Sequence, residues 1–292
     1  MKTINAPKRY KYRVEKKTGF AGFVQAIGQF LFGGFIKIFQ NRAILLRTTV
    51  TDIQTLYAGS FFGTFWLVFG QIMILGIYTL TYVVIFRIRP ADLTILEYIL
   101  YVFCGLASFL AFSGALSGGT LSLASNRSVL MNTVFPAELL PLRAILVASA
   151  GMPIAIIILF AVDAAIGTIA WTWMLVPFVI LFQIMFIAGL TWILSLLALV
   201  FKDLQFIIYY GIMMLMFLTP IAYTPAMVPD GLSFLISINP CAYFVISLQY
   251  LIMLDQLPPL AIMVAMITSS ILMFMIGYAV CRRVKGSFYD FA

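Results

Sequence analysis

An all-α integral membrane fold is what this sequence predicts: six transmembrane helices, an N-terminal amphipathic interface helix, and an external re-entrant helix pair between spans five and six. Three observations lead there. The 292 residues are 63% hydrophobic and only 10% charged, with a mean hydropathy of +1.09, whereas soluble domains carry about 25% charged residues. Six apolar runs supply the roughly 20 residues that one helical crossing of a bilayer core demands. Lys and Arg fall heavily on one side of those runs, the bias that orients helices in a membrane.

In chain order, the first element is a basic tail holding Lys2, Lys8, Arg9, Lys11, Arg13, Lys16 and Lys17. No apolar run with a small-residue cleavage site follows in the expected place, so a cleaved signal peptide is not expected. The run from Phe20 to Phe39 is apolar, but it carries Gln25, Gln29 and Lys37 and is flanked by Arg42 and Arg47. If it crossed, the basic tail would lie outside, so it reads as a helix lying in the cytoplasmic interface with its Phe and Ile in the acyl boundary. Spans then follow near Phe61–Phe86, Tyr98–Leu121, Ala144–Ile166, Trp173–Phe201, Phe206–Tyr223 and Leu260–Cys281. With both termini cytoplasmic, this places 16 of the 18 Lys and Arg inside and only Arg87 and Arg89 outside. One apolar stretch remains, Leu232 to Leu254, broken at Asn239-Pro240. Proline removes a backbone donor and disfavours helix before it. A crossing there would also put Arg282, Arg283 and Lys285 outside, so residues 226–258 read as two short helices that dip in from the outer face and return.

Several chemistries are disfavoured. The chain has no histidine, and Asp163 is the one carboxylate inside a predicted span, close enough to its outer end to reach water. Proton-coupled carriers usually keep ionisable groups within spans; a sodium-coupled carrier using broken-helix carbonyls stays open. No nucleophile with a base, paired carboxylates or metal cluster points to an enzyme. Cys104, Cys241 and Cys281 lie in apolar contexts without CxxC spacing, so they read as buried thiols and no metal site is expected. The formal charge of +8 follows membrane orientation, with no aromatic-basic motif for nucleic acid. There is no GxxxxGK[ST] loop, so any ATP must be bound by another subunit.

Particular residues carry a resemblance. TDIQTLYAGSFFGTFW, with Asp52, Tyr57, Gly59, Ser60, Gly63 and Trp66, resembles the entry to the first span of type-2 ABC export permeases of the O-antigen and teichoic-acid branch. NRSVLMNTVFPAELLPL, with Asn126, Phe135, Pro136, Glu138 and Pro141, resembles that family's cytoplasmic connection between spans two and three. FKDL at Phe201–Leu204, LTPIAYTP at Leu218–Pro225 and Asn239-Pro240 follow in the family's order, so the likeness covers nearly the whole chain after about residue 40. The chain departs from the pattern at Gln54, Leu56, Met131, Asn132, Gln71 (frequently Pro) and Gln249 (often basic).

The resemblance implies residues 1–55 as tail and interface helix and 56–292 as a six-span permease domain. It implies a homodimer that binds two copies of a separate cytoplasmic ABC ATPase, which carries the ATP and Mg, and that exports a lipid-linked polysaccharide across the bacterial inner membrane. Its other partners would be membrane lipids. Asn126, Arg127, Phe135, Pro136 and Glu138 would then form a short lever that the ATPase pushes, with Asn126 capping its helix. Lys202-Asp203 makes a tight cytoplasmic turn that is either a second ATPase contact or a plain hairpin. Tyr57, Ser60 and Trp66 are candidates for substrate entry, Trp171 and Trp173 for interfacial anchoring, and Pro220, Pro225, Asn239 and Pro240 for an external gate. The same fold also carries teichoic acid, capsule, drugs or lipids, since fold does not fix cargo.

Overall fold

The computed structural model describes residues 33–87, 93–128, 136–166 and 169–284, and within them the regular structure is helical, with no strand. Among the described residues, five helices are long and apolar enough to cross a membrane: Gly63–Ile85, Ile95–Ser125, Leu139–Ile166, Trp171–Val200 and Leu260–Val284. They match the first, second, third, fourth and last predicted runs, with boundaries shifted by up to five residues.

Residues 33–40 are helical, and α1 (Arg42–Leu56) follows at once. The rest of the predicted interface helix, residues 20–32, lies outside the described residues. Gly33 and Gly34 let this segment sit directly on the last span. A Cβ at Gly33 would come within 2.8 Å of Tyr278 Cε1, and one at Gly34 within 2.7 Å of Phe274 Cε1. The chain reverses after α1 through Gly59 (φ 78°) and Gly63 (φ 52°), left-handed positions that glycine adopts without steric cost.

Next come α2 (Trp66–Thr79), extended by a π-turn over Leu80–Ile85, and α3 (Ile95–Ser125). The start of α3 is set by a capping box: Glu97 N–H donates to Thr94 Oγ1 at 3.3 Å, and Thr94 N–H donates to Glu97 Oε2 at 2.7 Å. These bonds satisfy two of the helix's otherwise unpaired donors. Most of α3 is buried, and it forms the centre of the bundle.

The third span is two helices, α4 (Leu139–Ala148) and α5 (Gly151–Ile166). Pro153 has no N–H to return to the Ser149 carbonyl. That carbonyl instead accepts the Met152 N–H at 3.0 Å, and the helix breaks there. α6 (Val176–Val200) follows a 3-10 turn over Trp171–Leu175.

α7 (Leu204–Leu218) ends five residues before the predicted Tyr223. Pro220 forces Thr219 into extended backbone, ψ 132°, as proline does to the residue before it. Its 15 residues span about 22 Å, so it is not among the five long helices. The predicted re-entrant stretch appears as α8 (Ser233–Ser237) and α9 (Pro240–Met253), divided at Asn239. Proline is favoured at the first helical position, as Pro240 is here. The exposed α8 covers little, whereas α9 is largely buried against α3, α10 and α6. α10 (Leu260–Val284) is the last described helix, with Arg282 and Arg283 in its last turn.

α6 and α10 make the tightest crossing. A Cβ at Gly277 would fall on the Gly189 carbonyl, and one at Gly189 on the Met273 carbonyl. Without a hydrophobic difference between lipid and Leu, membrane helices gain association from close backbone approach at small residues.

Candidate functional site

Two clusters take shape around the predicted residues. The first joins α1, the end of α3 and α4. Arg143 Nε lies 2.8 Å from Asp52 Oδ2, and Arg143 Nη2 donates to Asn126 Oδ1 at 3.0 Å. A groove of about 450 Å³ runs beside them, lined by Asp52, Leu56, Ser122, Ser125, Asn126 and Arg143. Asn126 was expected to cap the following helix. It stands instead at the C-terminal end of α3, where its amide donates to the Ser122 carbonyl at 2.8 Å. Its oxygen is thereby left to receive Arg143. The ion pair is partly exposed, and such pairs contribute up to about 1 kcal/mol. Arg143→Met is expected to cost about that much stability, and adding Asp52→Asn should cost almost nothing more. Thermal unfolding of both single variants and the double variant checks this; additive losses would mean the pair is not coupled.

Glu138, expected on an ATPase docking surface, is only 8% exposed. Its backbone carbonyl accepts the Trp192 indole N–H at 2.9 Å. Trp192 packs on Phe274 at 5.2 Å and Tyr278 at 5.6 Å between ring centroids, and Phe274 in turn meets Phe35 at 4.6 Å. A continuous set of rings therefore links residues 33–40 to the start of α4. Pro136 accepts the Leu139 N–H at 2.9 Å and starts that helix. Arg127 is exposed, as are Lys202 and Asp203 in the turn before α7, while Phe135 lies outside the described residues.

Tyr57 and Ser60 sit together at the α1–α2 reversal, where the Ser60 hydroxyl donates to the Tyr57 carbonyl at 2.8 Å. Trp66 instead packs among Phe62 and Phe69, with ring centroids 5.6 and 5.5 Å away.

The second cluster gathers three of the four gate candidates. Asn239 is buried; its Nδ2 donates to Thr219 Oγ1 at 2.9 Å, and its Oδ1 accepts the Cys241 N–H at 3.0 Å. This ties the start of α9, at Pro240, to the Thr219-Pro220 end of α7. Gln249, fully buried, donates to the Pro220 and Ile221 carbonyls at 3.1 and 3.2 Å. The absent side chain of Gly105 makes room for it, since a Cβ there would lie 2.6 Å from Gln249 Nε2. The Tyr98 hydroxyl donates to the Ala222 carbonyl at 2.7 Å. A small cavity of about 170 Å³ lies beside this junction, lined by Tyr78, Tyr82, Phe217, Thr219 and Tyr223. Pro225 opens a separate 3-10 turn over Pro225–Met227.

Asp163 differs from expectation. It is 4% exposed, and its Oδ2 accepts the Trp173 indole N–H at 2.9 Å, so it sits within packed protein and not at water. Trp173 accordingly holds this contact, while Trp171 is the exposed one. In the loop before α10, Asp255 has its carboxyl raised above the ordinary range, by burial first and by nearby Asp163 second.

No family model matches the chain. Over 251 residues, 85% of this chain and 94% of the relative, it is 28% identical to the O-antigen export system permease protein RfbA of Klebsiella pneumoniae. A second protein of that name from the same organism is 26% identical over 251 residues, with the same coverage. The RfbA permease of Myxococcus xanthus is 25% identical over 257 residues, 87% of this chain and 97% of the relative. Across 85–87% of its length the chain is therefore similar to permeases of O-antigen export systems, which bears out its resemblance to the type-2 ABC export permeases.

Proposed function

We propose that this chain is the permease subunit of an ATP-driven ABC exporter that moves a lipid-linked, O-antigen-like polysaccharide across the bacterial inner membrane. The observation that carries the reading is the likeness to three export permeases along almost their entire length. The permease does no bond chemistry; a separate cytoplasmic ATPase, two copies on a permease homodimer, binds ATP and Mg. The segment from Asn126 to Glu138 takes up the ATPase stroke. The hydrogen bond from Trp192 to Glu138 supports its far end, and Arg143 joins its near end to α1.

In this reading α7 is a sixth crossing whose short helix is completed by the extended residues after Leu218. The α8–α9 pair dips in from outside, and residues 20–39 lie in the cytoplasmic interface. The junction of Thr219, Pro220 and Asn239 is the external gate. Purification in mild detergent should bring down an ATPase with a Walker A loop, and export in vesicles should follow ATP hydrolysis. Export that tracks an ion gradient with no such ATPase would overturn the assignment. For topology, single cysteines at Thr18 and Ser287 are expected to label only from the cytoplasm and one at Ala91 only from outside, these three positions lying outside the described residues. External labelling at Thr18 would turn the interface helix into a crossing.

A further inference from the structure

Span one is the least buried of the five long helices. No residue of α2 is buried, and a Cβ added at Gly70 or Gly76 would meet nothing within 4 Å. One polar side chain of this helix nevertheless makes a close approach. Gln71 lies eight residues after Gly63, about 12 Å along the span, and a Cβ at Gly151 would fall 2.4 Å from its Nε2. Gly151 is buried and opens α5, immediately after the break in the third span. At that break the Ala150 and Met152 N–H groups donate three residues back, to the Val147 and Ser149 carbonyls at 3.2 and 3.0 Å. An unbroken α-helix would send them four residues back, to Leu146 and Ala148. Those two carbonyls lose their usual donors well inside a span, where a side chain or a neighbouring helix must replace them. The buried Ser149 hydroxyl carries one proton, so it serves one of the two and leaves the other for a group from outside the helix.

We propose that Gln71 is a positioning residue that hooks span one onto the broken backbone of span three, its amide donating to the Ala148 carbonyl through the opening that Gly151 leaves. Ala148 stands three residues before Gly151, a spacing that places both on one face of the helix path. The bond satisfies both sides, because a glutamine amide left unpaired in hydrocarbon is as costly as an unpaired carbonyl. With so little of α2 packed into the bundle, this one contact decides where span one rests. Bending at Pro153 changes how far the Ala148 carbonyl stands out from the helix, so the hinge in span three holds or releases Gln71, and span one moves with it. Motion of α4, whose Arg143 joins it to α1, reaches span one by this route. The proposal goes beyond the transport reading, and its test involves no transport.

Spin labels on cysteines placed at Gly76 in span one and at Ile157, which is exposed on α5, report the separation of the two spans in the full-length permease in nanodiscs. The three native cysteines are buried and do not take the label. Labelled protein is mixed with excess unlabelled protein, so that only pairs within one chain are read. Gln71→Met, close in size but without an N–H, should raise the ratio of separated to docked spans about three-fold, the effect of a typical interhelical hydrogen bond in a membrane. Gly151→Ala should do the same by displacing the amide, whereas Gly70→Ala, in open space, should not. In a Pro153→Ala background the restored N–H returns to Ser149 and frees Met152 for Ala148, so Gln71→Met should change nothing more. If Pro153→Ala does not fold, Gln71→Met with Gly151→Ala is read instead and should match either single variant. Native distances in Gln71→Met, an equal change with and without Pro153, or additive changes in the Gln71 and Gly151 pair would overturn the proposal.

Discussion

Gly277→Leu is expected to leave little folded protein after extraction. At this position α10 meets α6 backbone to backbone, so the new side chain would have to occupy the space of the Gly189 carbonyl. Overpacking a core usually costs about 1–3 kcal/mol, because neighbouring side chains can shift. Here the neighbour is main chain hydrogen-bonded within a 25-residue helix, which cannot rotate away. The cost should therefore reach roughly 3 kcal/mol or more, lowering Tm by about 6–12 °C at the usual 2–4 °C per kcal/mol for larger domains. Gly189→Val should behave alike, since its Cβ meets the Met273 carbonyl. A Tm within about 2 °C of the native protein for either variant would mean that the two helices are farther apart than described.

Gln249→Leu is expected to have the second largest effect, and to touch function as well as stability. The Pro220 and Ile221 carbonyls lie in the non-helical turn after α7, and Gln249 is the side chain that donates to them. Leaving a buried polar group unpaired costs about 1–3 kcal/mol, and an apolar surround offers no water to substitute. The substitution also removes Gln249 Oε1, a buried oxygen that has no hydrogen-bond partner among the described residues, so the net loss is about 1–3 kcal/mol. The inserted protein should also leak ions in liposomes, because the α7–α9 junction would keep only the Asn239–Thr219 bond and the Tyr98 hydroxyl. Gly105→Ala should reproduce the effect more weakly, since its methyl group would displace the same amide. Unchanged Tm together with tight liposomes would show that Gln249 does not hold the junction.

The parts legible from sequence were those written in neighbouring residues. Run length announces the five long helices, and proline chemistry marks the break at Asn239-Pro240; the same chemistry at Thr219-Pro220 ends α7 at Leu218. The same rule at Pro153 would have divided the third span. Helix α1 was missed because Arg42–Leu56 is neither apolar enough for a span nor strongly two-faced, and its position rests on the tertiary pair Asp52–Arg143. That pair, the Gly189–Gly277 crossing and the reach of Gln249 to the α7 turn all join residues far apart in the chain. Nothing local distinguishes Gly189 or Gly277 from other glycines in apolar runs. Burial of Glu138 and Asp163 was equally hidden, because it rests on distant residues: Trp173 donates to the Asp163 carboxylate, and Trp192 to the backbone carbonyl of Glu138.

The central place of α3 has a consequence for how the protein is made. The helices that cover most of it, α4, α6 and α9, follow it in the chain, and of its described neighbours α2 precedes it. When α3 first leaves the ribosome, the face carrying Ser108 and Gly105 must wait in lipid for partners not yet translated. The Ser108 hydroxyl is to bond Gln183, 75 residues later, so its polar group needs a temporary partner until the fourth span arrives. At about 5–20 residues per second of synthesis, that interval lasts several seconds. Slowing elongation between α3 and α6 would lengthen this exposure, so the permease's yield should depend on translation speed across that stretch, and on any insertase that shields a half-built bundle.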